Sequence, residues 1–159
     1  SMARWKEVRG SAPEFAAPVR GIFDAHRHKT LATLRRDGSP RISGIEATFK
    51  DGDLWLGMME GSRKALDLRR DPRFALHSAS LDPPDNPSDW DGDAKMAGRA
   101  EEITDPKQVG AFAEEPDQRF HLFRVDIEEV VLTRVGDPAD HLVIEVWREG
   151  RDLQRLKRK

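Results

Sequence analysis

Hydrophobic and polar residues change their spacing several times along the chain. Ala12 to Arg27 place Phe15, Val19, Ile22 and Phe23 three and four residues apart, which predicts a short amphipathic helix able to cover one end of a barrel. From Lys29 the period shortens to two. Thr30-Leu31-Ala32-Thr33-Leu34 predicts a strand that stops at Asp37-Gly38, a dipeptide suited to positive φ. Arg41 to Phe49 alternates Ser43, Ile45, Ala47 and Phe49 against Ile42, Gly44, Glu46 and Thr48. Asp51-Gly52 then turns the chain into Leu54-Trp55-Leu56-Gly57-Met58-Met59, so three consecutive antiparallel strands are expected.

A helix is predicted from Ser62, whose hydroxyl can cap free backbone N–H groups, through Ala65, Leu66 and Leu68 to the stop at Asp71-Pro72. Phe74 to Ala79 reads as a fourth strand. Leu81 to Asp93 holds three prolines and five aspartates and reads as a long surface loop. Ala94 to Ile103 is a fifth strand, and Thr104-Asp105-Pro106 starts a short helix that ends before Pro116. Phe120 to Arg134 is β-rich with a bulge expected at Glu128-Glu129, and Leu142, Ile144 and Val146 alternate in a last strand. The expectation is one mainly β domain over residues 1–159: a helix at 12–27, a barrel at 29–147 and a basic tail at 148–159. Closing antiparallel strands into a barrel removes their exposed edges.

Composition narrows the function classes. Hydrophobic residues make up 37% and charged residues 35% of the 159, so the core is thin and dimerisation is a natural way to complete it. A net charge of -2 gives no global field toward nucleic acid or an anionic membrane. The tail Arg151 to Lys159 lacks interleaved aromatics and reads as solvated rather than as a nucleic-acid contact. The chain has no cysteine, which excludes disulfides and thiolate chemistry. Short apolar runs and an N-terminus without an apolar core predict a cytoplasmic protein with no membrane partner. His26, His28, His77, His121 and His141 are scattered, and His26 and His28 have no obvious carboxylate nearby, so no metal site is expected.

The most informative stretch is Gly61-Ser62-Arg63-Lys64-Ala65-Leu66-Asp67-Leu68-Arg69-Arg70-Asp71-Pro72-Arg73. It puts a serine and two cations where a helix begins. Cations there oppose the positive end of the helix dipole and call for compensation, which a bound phosphate supplies. The alternative is that Arg63 and Lys64 are solvated, with Asp67 partnering one of them.

Together with Leu31-Ala32-Thr33-Leu34, Asp37-Gly38-Ser39-Pro40 and the Leu54 to Leu56 strand, this stretch resembles the pyridoxamine 5'-phosphate oxidase-like flavin and deazaflavin oxidoreductases. The resemblance is strongest over residues 26–80 and weaker to about residue 147. It implies a split β-barrel homodimer with cofactor sites at the subunit interface, binding flavin mononucleotide (FMN) or, alternatively, the deazaflavin coenzyme F-420. By position, Lys64 would contact the cofactor phosphate with Ser62 and Arg63 beside it. The strand with Ile42, Ser43, Gly44 and Glu46 would run along the ring edge, Gly44 permitting close approach. Met58 and Met59 would touch ring or phosphate arm, or simply pack the core. His77 and Ser78 would face the ribityl chain, with a purely structural histidine the alternative. Glu46 would orient substrate or point to solvent, and Trp90 would fold over a neighbouring subunit's cofactor or anchor its own loop. The acidic tail of the deazaflavin would want Arg35, Arg36 or Arg41. Trp147-Arg148-Glu149-Gly150-Arg151 is faintly similar to the cofactor and substrate segment of true pyridoxine-phosphate oxidases, but the rest of that signature is absent, so vitamin B6 oxidation is not expected. The implied function is an oxidoreductase acting on a small molecule through its cofactor, and the alternative is a non-catalytic flavin or haem carrier.

Overall fold

The computed structural model describes residues 2–159. Its helices are α1 (Trp5–Ser11), α2 (Pro13–Asp24), α3 (Arg63–Arg70) and α4 (Pro106–Gly110). Its strands are β1 (His28–Leu34), β2 (Pro40–Lys50), β3 (Asp53–Met59), β4 (Arg73–His77), β5 (Asp93–Ile103), β6 (Phe120–Val135), β7 (Leu142–Arg148) and β8 (Gln154–Arg158). The strand order is β3-β2-β1-β4-β5-β6-β7-β8, and β3 also pairs with β6. The first six strands in that order therefore close a barrel, while β7 and β8 extend beyond it.

The split occurs along β6. Its first residues pair with β3, from Met59↔Phe120 to Trp55↔Arg124, and its last residues pair with β7, from Glu129↔Arg148 to Val135↔Leu142. Between them the N-terminal segment pairs with Ile127: Ala3 donates to the Ile127 carbonyl at 2.9 Å and accepts from Ile127 N–H at 2.7 Å. The register with β5 steps from Ala97↔Glu129 to Gly98↔Ile127, so Glu128 is the extra residue of a bulge, where the alternation of β6 breaks. Gly98 lies against it. A Cβ at that position would sit 1.9 Å from the Asp126 carbonyl oxygen, so the close approach of the two backbones requires glycine.

Inward residues of the barrel strands, among them Leu31, Ile45, Leu56, Leu76, Met96 and Val125, form a single buried cluster with Phe15, Ala16, Val19 and Phe23 of α2. Proline at the first position of α2 suits a turn whose N–H groups have no intrahelical acceptor. Helix α1 was not expected, because its apolar signal is only Trp5 and Val8. Trp5 nevertheless packs 4.8 Å from the Phe49 ring, and Glu7 accepts from the Arg4 backbone N–H at the helix start. The tail also differs from the expected solvated segment: Gln154–Arg158 is a strand paired with β7, exposed throughout, which contact with one neighbour explains. Trp147 is buried and donates to the Ser11 hydroxyl at 2.9 Å, and Arg148 is paired with Glu129, so both residues have structural partners.

Candidate functional site

Because alternate side chains of a strand point to opposite faces, the outward residues of β2 and β3 fall on the outside of the barrel. There they floor a groove of about 730 Å³, with Gly44, Glu46 and Thr48 from β2 and Trp55, Gly57 and Met59 from β3. Glu46 is directly across from Gly57 in the ladder. A Cβ built on Gly44 or Gly57 meets no atom within 4 Å, so the floor offers bare backbone beneath open space. Phe112 and the segment leading into β6 contribute a wall. Its ring lies 4.9 Å from that of Trp55, and these two residues, with Ile103, Phe120 and Leu122, belong to an apolar cluster separate from the main core. Trp55 is fixed further by donating its indole N–H to the Lys50 carbonyl at 2.9 Å.

Lys64 reaches this groove from the first turn of α3, donating to the Gly44 carbonyl at 2.9 Å. That bond links the start of α3 to the strand expected along the ring edge. Glu46 lies in the same groove, 3.7 Å from Arg27 and 4.0 Å from His28, so His28 has the carboxylate neighbour that its sequence context did not reveal. Met59 is 82% exposed there, whereas Met58, which also lines the groove, is buried in the core.

Successive residues of a helix point about 100° apart, and this separates the two cations at the start of α3. Arg63 lines a different hollow, of about 490 Å³, with Arg35, Arg36, Arg41, Asp67 and Arg70. Asp67, almost fully buried, accepts from Arg41 Nε at 2.7 Å, Thr33 at 2.8 Å and Arg70 at 3.1 Å, and from neither Arg63 nor Lys64. Burial opposes its charge, but the bonds from Arg41, Thr33 and Arg70 outweigh that and hold its carboxyl below the usual range. Ser62 occupies the N-cap position without capping. Its hydroxyl makes no side-chain cap bond and is buried without a partner.

The remaining expected residues are dispersed. Ile42 is 73% exposed on the outer face beyond the groove lining, and Ser43 points inward with an unpartnered hydroxyl. His77 Nδ1 lies 2.6 Å from the Ser78 carbonyl, and the Ser78 hydroxyl accepts from Ala94 N–H at 3.1 Å. These two residues join the end of β4 to the start of β5 and do not line the groove. Trp90 is half-buried at the end of a short 3-10 turn over Pro87–Asp89, away from the groove lining. Gly57, Trp55 and Phe112 went unnoticed as site residues. A glycine inside an otherwise apolar strand was the available signal for the first; no local pattern could pair the other two.

The family described as pyridoxamine 5'-phosphate oxidase matches residues 16–134, well over half of the chain. The chain belongs to this family. Among solved structures, a pyridoxamine 5'-phosphate oxidase-related, FMN binding protein from Nostoc punctiforme is 18% identical, with a TM-score of 0.61, 100% of this chain and 98% of that one covered. A protein related to general stress protein 26, of the pyridoxinephosphate oxidase family, from Clostridium acetobutylicum is 13% identical, with a TM-score of 0.60 over 91% of this chain and 94% of that one. A heme binding protein from Mycobacterium smegmatis is 18% identical, with a TM-score of 0.57 over 87% of this chain and 56% of that one. At such identities the likeness establishes the pyridoxamine 5'-phosphate oxidase fold. No curated protein matches the chain.

Proposed function

We propose that the protein is an oxidoreductase that binds a flavin-type cofactor, with FMN first, in the groove floored by Gly44 and Gly57. The observation that carries this reading is the conjunction of a bare-backbone floor, on which a planar ring can lie flat, with Lys64 reaching the floor from the start of α3. The cofactor phosphate would replace the Gly44 carbonyl as the partner of Lys64. It would also compensate the cations that oppose the helix dipole. Bound there, the cofactor supplies hydride transfer, while Trp55, Phe112 and Phe120 give the groove an apolar wall for a small substrate.

The deazaflavin coenzyme F-420 is the alternative cofactor, its acidic extension running toward Arg35, Arg36, Arg41 and Arg63. We further propose a cytoplasmic homodimer with the cofactor at the interface, since Met59 in the groove, Leu66 on α3 and Ile42 on β2 are exposed apolar side chains. A non-catalytic flavin or haem carrier is the second function; the heme binding protein of the same fold favours keeping it.

Equilibrium titration of the purified protein with FMN, F-420 and haem, repeated with Lys64→Ala, tests the proposal. Tight binding of one flavin-type ligand, weakened about tenfold on substitution and accompanied by turnover of an electron donor, supports the oxidoreductase. Stoichiometric binding without turnover supports the carrier, and binding of none of the three overturns both. Sedimentation equilibrium tests the dimer.

A further inference from the structure

Helix α3 is held near both ends by one pair of side chains. Ahead of its first turn, the backbone N–H of Gly61 donates to His121 Nε2 at 3.0 Å. The other ring nitrogen, Nδ1, lies 3.1 Å from Glu102 Oε2. In the last turn of the same helix, Arg69 donates to that carboxylate twice, from Nε to Oε1 at 2.5 Å and from Nη2 to Oε2 at 3.0 Å. A backbone amide can only donate, so Nε2 presents its lone pair and the ring proton sits on Nδ1, donating to Glu102. Arg69 Nη2 also lies 3.2 Å from Nδ1, but two donors cannot bond each other, so the guanidinium serves Glu102. The bonds from Arg69 hold the Glu102 carboxyl below its usual range and keep it an acceptor for both neighbours.

This arrangement stands where the usual device is missing. The N-cap hydroxyl of Ser62 does not bond the helix, and the first turn carries Arg63 and Lys64, which oppose its dipole. Gly61 takes φ +74°, a conformation that glycine adopts freely, and Ser62 N–H closes the turn onto the Met59 carbonyl at 3.1 Å. The place where α3 begins is therefore set from outside, by a histidine on β6 that stands opposite Met58 and is 11% exposed.

We infer that His121, oriented by Glu102, is a positioning residue: it fixes the Met59–Ser62 turn and so determines where Lys64 stands over the groove floor. This rests on the reading that Lys64 holds the ligand phosphate. His121 acts through Gly61 and does not line the groove itself.

His121→Leu and His121→Gln separate this role from simple packing. Glutamine can accept from Gly61 with its oxygen and donate to Glu102 with its nitrogen, whereas leucine can do neither. Two quantities are measured in each protein: amide hydrogen exchange at Gly61 and FMN affinity by fluorescence titration, with the melting temperature as a control. The leucine variant is expected to exchange Gly61 about tenfold faster, as loss of one hydrogen bond predicts, and, with Lys64 displaced, to bind FMN about tenfold more weakly, with glutamine restoring both. Unchanged exchange in the leucine variant, or equal impairment of both variants, overturns the inference. If the wild-type protein does not bind FMN, the cofactor assignment falls, and Gly61 exchange alone then decides whether His121 positions the turn.

Discussion

The groove and the arginine hollow are lined by consecutive residues of α3, yet they handle charge in opposite ways. In the hollow, the buried Asp67 takes bonds from Arg41 and Arg70, so Arg41 is committed to tying β2 to α3 and Arg70 to a bond within α3. In the groove, Lys64 makes no ion pair among the described residues and rests on the Gly44 carbonyl. A carbonyl is a weaker partner for an ammonium group than a carboxylate or phosphate. Cations that crowd together in sequence thus divide into structural and available ones, and the orientation around a helix decides which is which.

If the hollow is chiefly structural, Asp67→Ala should produce the largest change in stability, about 3 kcal/mol, because it leaves two arginines beside an empty buried position. Urea unfolding measures it. The same carboxyl has a pH signature. Its folded value is depressed, so its contribution is fully present above the ordinary carboxylate range and is lost as pH falls through the depressed folded value. Asp67→Asn should therefore flatten the acid limb of the stability profile; an unchanged limb would remove the special status given to the hollow.

The groove side is tested by obstruction. Gly57→Leu puts a side chain into open space above the floor, so the fold should melt within a few degrees of wild type while FMN affinity drops about a hundredfold. Lys64→Ala, which removes one charge-assisted bond, should weaken FMN about tenfold and leave urea unfolding unchanged. The smallest effect is expected from Arg35→Ser combined with Arg36→Ser. FMN titrations should not move, and an F-420 titration should weaken by roughly threefold through lost screened attraction to its acidic tail. Loss of FMN binding in that double variant would move the phosphate from the groove into the hollow.

Much of the barrel was legible because it rests on local signals. Gly38 takes positive φ at the Asp37-Gly38 stop, the chain turns at Asp51-Gly52 as predicted, and the change of period at Lys29 marks the start of β1 within one residue. The bulge was visible because the alternation of β6 fails at Glu128. Helix α1 was not legible, since two apolar residues in seven specify no face by themselves and Trp5 gains its meaning from Phe49, far along the chain. Strand β8 was missed for the converse reason: one leucine among four polar residues makes no alternation, and only pairing with β7 makes it a strand.

In the site, Lys64 and Gly44 were found as separate residues, but their contact depends on the β2 register, which no motif encodes. His77 and Ser78 looked like site residues by position, whereas His77 bonds the neighbouring Ser78 carbonyl and the Ser78 hydroxyl accepts from Ala94 of β5. His121 left no trace in the sequence, because its partners Gly61 and Glu102 come from two other places in the chain.

The outermost strand carries one more consequence. An unpaired strand edge is a template on which another chain can add itself and start a fibril. Here that edge belongs to Gln154, Arg155, Leu156, Lys157 and Arg158, all exposed, and only Arg155 of its three cations makes a salt bridge among the described residues. A second copy approaching edge to edge would bring like charges together along the ladder, so the sheet that grows out of the barrel also stops its own growth.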